Sequence, residues 1–182
     1  FAESHSPEEV VAYLNSLFSF MIDSVQRYGG VINQFLGDGF MATFGAPVSE
    51  GNVAQKAVLA SIDIIQKVKQ ENEAENIPLT KIGIGLHFGE AVIGNIGSSV
   101  RKQYSITGNV VIMASRLEQL NKRMHSQLII SEEVYNELDR EVKFRFIPQK
   151  PLRVKGIHLP VLLFVFNEDQ TKRTLFENHT SA

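Results

Sequence analysis

The 182-residue chain is 43% hydrophobic and 21% charged, which fits one globular domain with a substantial core and excludes a disordered or fibrous polypeptide. Its formal net charge of -2 gives no general attraction to nucleic acid or to an anionic membrane, and without cysteine it has no disulfide, thiolate ligand or thiol nucleophile. No apolar run approaches the length of a membrane span, FAESHS lacks the features of a signal peptide, and a start without initiator Met points to a piece of a longer protein.

Ser6-Pro7-Glu8-Glu9 supplies an N-cap, a proline at the first helical position and a capping-box glutamate, so a helix is predicted to begin there. Its apolar stripe runs through Leu14, Leu17, Met21 and Val25 until Gly29-Gly30 ends it. Val31 to Phe35 and Phe40 to Phe44 read as strands joined by Leu36-Gly37-Asp38-Gly39. Asp-Gly is the commonest hairpin pair, so Asp38 has an ordinary reading as a turn residue. A second helix is predicted from Asn52 to Gln70, followed by a polar connection from Glu71 to Pro78.

Ile82, Ile84, Leu86 and Phe88 alternate at the strand period, and Gly89-Glu90 offers a turn before Ala91, Val92 and Ile93, which together read as a hairpin. Tyr104 to Thr107 reads as a further strand. Gly108-Asn109 then opens a helix with Val111, Ala114, Leu117 and Leu120 at helical spacing, and Arg116 projects from it. Leu128 to Ile130 is a short strand, and a short helix runs from Ser131 to Leu138. Val142 to Ile147 and Leu152 to Val154 read as strands interrupted by Pro148, and Val161 to Phe166 as a last strand. The order predicts one α+β domain over residues 1–167, an antiparallel sheet with helices on one face, and a fraying polar tail over 168–182.

GIGLHFGE, GNIGS and YSITGNVVIMASRLE, preceded by GGVINQFLGDGFMATFGAP, resemble in order the class III nucleotidyl cyclase catalytic domain, the adenylyl and guanylyl cyclase family. The resemblance runs from Phe1 to Phe166. It implies a ferredoxin-like core with added strands, whose first central strand would precede Phe1 and carry one of the family's two metal-binding aspartates. It also implies a reaction: in-line attack of a ribose 3' hydroxyl on the α-phosphorus, releasing pyrophosphate, with Mg2+ or Mn2+ and a site shared between two chains.

Carried onto this sequence, the family pattern makes Asp38 a metal-binding carboxylate, Arg116 the transition-state arginine and Lys155 a triphosphate contact. Gln34 and Ser105 fall at the base-recognition positions. The bland alternatives are a helix-surface arginine paired with a carboxylate for Arg116 and an exposed loop lysine for Lys155. His87 reads as structural. Ile112 departs from the pattern, because a transition-state asparagine belongs four residues before Arg116 and an isoleucine cannot donate a hydrogen bond. Gln34 departs too: it both donates and accepts, so it cannot by itself choose between adenine and guanine. Ser105 leans towards the bacterial adenylyl type.

The expected function is therefore an adenylyl cyclase working on ATP rather than GTP, weakened by Ile112 and Gln34, and acting as a cytoplasmic homodimer. The competing expectation is a catalytically inactive cyclase-like domain serving dimerisation, nucleotide sensing or heterodimer formation. An RNA-binding module of similar topology is set aside, since its aromatic signature is absent and the charge is slightly negative.

Overall fold

A computed structural model describes residues 5–46, 48–97, 102–153 and 159–168, with side chains 95–97 and 102–104 left aside. The chain forms two compact units, residues 1–82 and 83–182.

In the first unit, α1 (Pro7–Arg27) starts as the sequence dictates. Ser6 caps it, its Oγ accepting from Glu9 N at 3.3 Å while the Glu9 carboxylate accepts from Ser6 N at 2.8 Å. The helix packs Leu17, Met21 and Val25 inward against α2 (Val53–Glu73), which is capped by Asn52 and contributes Val58, Ile65 and Val68. Between the helices Ser24 is fully buried, and its hydroxyl donates to Asp63 Oδ2 at 2.7 Å. Lys67 Nζ donates to Ser24 Oγ at 3.1 Å, and Arg27 and Lys67 each stand 3.4 Å from the same carboxylate oxygen, so the polar groups inside this seam satisfy one another. The polar connection after α2 is pinned by Asn72, whose amide pairs with both the N–H and the C=O of Thr80.

The hairpin of this unit joins β1 (Gly30–Leu36) and β2 (Gly39–Phe44). Phe35 and Phe40 pack against Phe18 of α1 in tilted and edge-on contacts, with ring centroids 5.3 Å and 6.0 Å from Phe18, and so define the face turned to the helix.

In the second unit a four-stranded sheet runs β3 (Ile84–Leu86), β6 (Leu128–Ser131), β8 (Leu163–Phe166), β7 (Phe146–Pro148). The β3–β6 pair is parallel and the other two are antiparallel, so the sheet is mixed rather than wholly antiparallel. All four β6 residues are fully buried, as a central strand covered on both faces requires. Helix α3 (Asn109–Met124) packs Met113 and Leu117 onto Ile129 and Leu163. The short α4 (Glu132–Asn136) lies on β6 and β8, where Tyr135 stacks on Phe164 with centroids 3.7 Å apart.

Two local expectations are corrected. The hairpin predicted over residues 82–93 does not form: β3 pairs with β6, whereas β4 (Val92–Gly97) forms its ladder with β5 (Lys102–Thr107), from Val92 opposite Thr107 to Gly97 opposite Lys102. Alternation identifies a strand but not its partner. Arg140–Lys143 forms one helical turn, α5, instead of the start of a strand: Asp139 is extended at the N-cap position and Lys143 N donates to its carbonyl at 2.9 Å. Four residues with one apolar member fit either period. Leu152 makes an isolated bridge to Val161; Val154, Pro47 and the tail over 169–182 lie outside the described residues.

Candidate functional site

The predicted site residues of the first unit lie on one hairpin. Leu36 pairs with Gly39, so the central turn residues are Gly37 and Asp38, not Asp38 and Gly39. Gly37 takes φ 67°, the left-handed region that glycine enters without strain, whereas Asp38 stays out of that region. The turn therefore needs the glycine and makes no demand for an aspartate. Asp38 is exposed, and no hydrogen bond or ion pair holds its carboxylate among the described residues.

A feature the sequence did not disclose sets the position of Gln34. The ladder slips between Ile32, opposite Ala42, and Gln34, opposite Met41, leaving Asn33 as an extra bulged residue. In an unbroken ladder Gln34 would share a face with Ile32. The bulge instead puts Gln34 on the face of Val31 and Leu36, away from the Phe35–Phe40 side that meets α1, and all three are exposed. The one available signal was an asparagine, a poor strand former, next to Gln34 within a short strand. Its Oδ1 is buried without a hydrogen-bond partner.

In the second unit Ser105 stands on β5 opposite Gly94 and is partly buried. Helix α3 presents Ile112 and, one turn later, Arg116. Ile112 is 51% exposed, so packing does not call for an isoleucine there. Arg116 Nη1 donates to Gln119 Oε1 at 3.2 Å, and no carboxylate pairs with it among the described residues. The bland reading of Arg116 as half of a surface ion pair is thus not realised. Lys155 lies outside the described residues.

His87 is structural, as expected. Its Nδ1 is 2.8 Å from the buried Ser131 hydroxyl and 3.5 Å from Glu133 Oε2. Burial lowers its pKa below the ordinary histidine value of 6.5, with Glu133 opposing in part. Because the folded value is the lower one, the unfolded chain takes up this proton first as acid is added. Stability from this group is complete above pH 6.5 and is lost as the pH falls from there towards the folded value. Melting curves across that range should show the decline, and His87→Gln should make it shallower; an unchanged slope would remove His87 as its source.

Among the described residues no three His, Asp or Glu side chains gather as a ready metal cage. Asp38 offers a single hard carboxylate, which fits the share a magnesium-type ion takes from protein when waters and phosphates complete its shell.

The family profile of the adenylate and guanylate cyclase catalytic domain matches residues 1–168. The chain belongs to this family. It is 34% identical over 158 residues to "Adenylate cyclase 1" of Rhizobium meliloti, a match covering 85% of this chain and 24% of that protein. It is also 31% identical over 160 residues to an uncharacterised protein of Mycobacterium tuberculosis, covering 88% of this chain and 29% of that one. The cyclase domain thus spans about a quarter of the length of these curated relatives. Among solved structures, the guanylyl cyclase Cya2 superposes with a TM-score of 0.77 at 29% identity, covering 91% of this chain and 83% of that one. The adenylyl cyclase CyaB from P. aeruginosa gives 0.77 at 28% identity, covering 92% and 87%. The α+β architecture is the class III cyclase fold.

Proposed function

We propose that this domain converts ATP to cyclic AMP and pyrophosphate at a site formed by two copies of the chain, with turnover reduced by Ile112 and Gln34. The observation that carries the proposal is Arg116, a guanidinium on α3 of a cyclase-family domain whose charge no carboxylate takes up among the described residues.

In this reading Arg116 neutralises charge that grows on the phosphate oxygens as the 3' hydroxyl bonds to the α-phosphorus and the pyrophosphate oxygen departs. Asp38 holds Mg2+ or Mn2+, and the bound ion supplies further neutralisation of the triphosphate. Lys155 adds a contact to the same phosphates. Gln34 and Ser105 read the base edge, and the hydroxyl of Ser105 with the amide of Gln34 can serve the donor and acceptor pair of adenine. Exposed Val31 and Leu36 beside Gln34, and exposed Ile112 beside Arg116, support an interface with a second copy. No helix among the described residues is long and apolar enough to cross a membrane, and a cytoplasmic setting suits an ATP-dependent reaction.

The second reading, an inactive module for dimerisation, nucleotide sensing or heterodimer formation, rests on Ile112, which places an apolar side chain where the reaction wants a donor. Assays with Mn2+ and either ATP or GTP separate the two. The enzymatic reading expects cyclic AMP in excess of cyclic GMP. It also expects Ile112→Asn to raise kcat on the order of a hundredfold, the usual worth of one preorganised donor. No cyclic nucleotide from either protein would leave the module reading standing. A preference for GTP would reverse the assignment of substrate.

A further inference from the structure

We propose that Asn121 is a positioning residue for Arg116, acting by fixing the register of α3 on β3; this rests on the cyclase reading of Arg116. The guanidinium has one weak neighbour, the Gln119 amide, so its location is decided by where the backbone of α3 sits. That backbone lies directly on β3 at Gly85. A Cβ added there would collide with Ala114 O and Glu118 N, two residues to either side of Arg116, and would come within 2.9 Å of Leu117 C. At Gly83 an added Cβ would stand 3.2 Å from Asn121 Cβ.

Two glycines under a helix give close contact but a smooth surface. Gly83 and Gly85 lodge no side chain between turns of α3, which is gripped instead by Ile129 and Leu163 of β6 and β8. A directional bond ties it to β3 itself. Asn121 is 3% exposed, and its Nδ2 donates to Ile84 O on β3 at 2.9 Å and to Glu118 O at 3.0 Å. Its Oδ1 accepts from Ser126 Oγ at 2.9 Å, and its backbone carbonyl accepts from Ser126 N at 3.0 Å, so the amide also closes the C-terminal end of the helix. Asparagine is a poor helix former, and a leucine could have filled the space. Its use here is accounted for by the tie between the strand carbonyl and the helix five residues beyond Arg116.

The test is a kinetic double-mutant cycle with Mn2+ and ATP, together with amide hydrogen exchange on the same proteins. Asn121→Ala, and Asn121→Asp, which loses the donor but keeps the shape, should lower kcat about tenfold or more with little change in KM. In an Arg116→Ala background the same changes should alter the residual rate less than about twofold, because the group they position is gone. Exchange over residues 112–118 should quicken relative to β6. Equal losses in both backgrounds, or exchange quickened to the same extent in β6 and α3, would overturn the proposal. Should Asn121→Ala fail to fold, Ser126→Ala is read in the same way, with a smaller loss expected. If Arg116→Ala leaves the rate unchanged, the catalytic reading of Arg116 fails. The exchange result then still decides whether Asn121 seats the helix.

Discussion

Alanine at Arg116 and, separately, at Asp38 is expected to lower cyclic nucleotide formation on the order of a thousandfold each, with unfolding free energies within about 0.5 kcal/mol of the parent. Neither residue is tied into the fold in a way that would make it structural. Arg116 has its 3.2 Å bond to Gln119, and Asp38 sits exposed at a turn whose geometry is supplied by Gly37. A large loss of rate without loss of stability would therefore mark groups acting on the nucleotide. The two variants also test where the site is. If the carboxylate of one copy works with the guanidinium of another, mixing the two inactive proteins creates heterodimers in which one of two sites is intact. Activity then returns to about a quarter of the parent, since half of randomly paired dimers are mixed. A mixture as inactive as its components would place both groups in one chain and overturn the shared site. Rates unchanged by either substitution would remove both residues from the chemistry.

Much of this could be read from the residues alone, because local signals and tertiary packing agree. The capping box at Ser6 and Glu9, the apolar stripe of α1 and the glycine at the start of α3 each specify their own element. What escaped depends on partners distant in the chain. The alternation from Ile82 to Phe88 marks a strand equally well whether it pairs with residues 92–97 or with residues 128–130, and the structure takes the second. The Asn33 bulge is invisible to a period-2 pattern, yet it decides which face of the hairpin carries Gln34. Asp38 shows the converse. Its residue type suggested a turn former, and the backbone shows that the turn does not need it. An exposed aspartate after a glycine is ordinary in such a turn, so the metal-binding reading of Asp38 rests on the resemblance of its sequence block to the family pattern.

The glycines of the second unit give the sharpest stability prediction, because the surroundings of three of them differ while the substitution is the same. Gly85→Ala should destabilise by about 3 kcal/mol or more. The new methyl group would meet backbone atoms of Ala114, Leu117 and Glu118, which cannot turn aside as a side chain can, so α3 would have to lift from β3. Lifting it would stretch the Asn121 bond to Ile84 O and open the contact of Leu117 with Ile129 and Leu163. At Gly83 the nearest atoms stand at 3.2 Å and one is the Glu118 carboxylate, which can swing away, so Gly83→Ala should cost about 1 kcal/mol. Gly94→Ala meets nothing within 4 Å and has no positive φ to forbid it. It should leave stability unchanged or raise it by up to about 1 kcal/mol by restricting the unfolded chain. Urea titrations of the three variants should rank them in that order. A Gly85→Ala protein as stable as Gly94→Ala would show that α3 does not rest on the strand backbone. The register assigned to Arg116 through that contact would then fall with it.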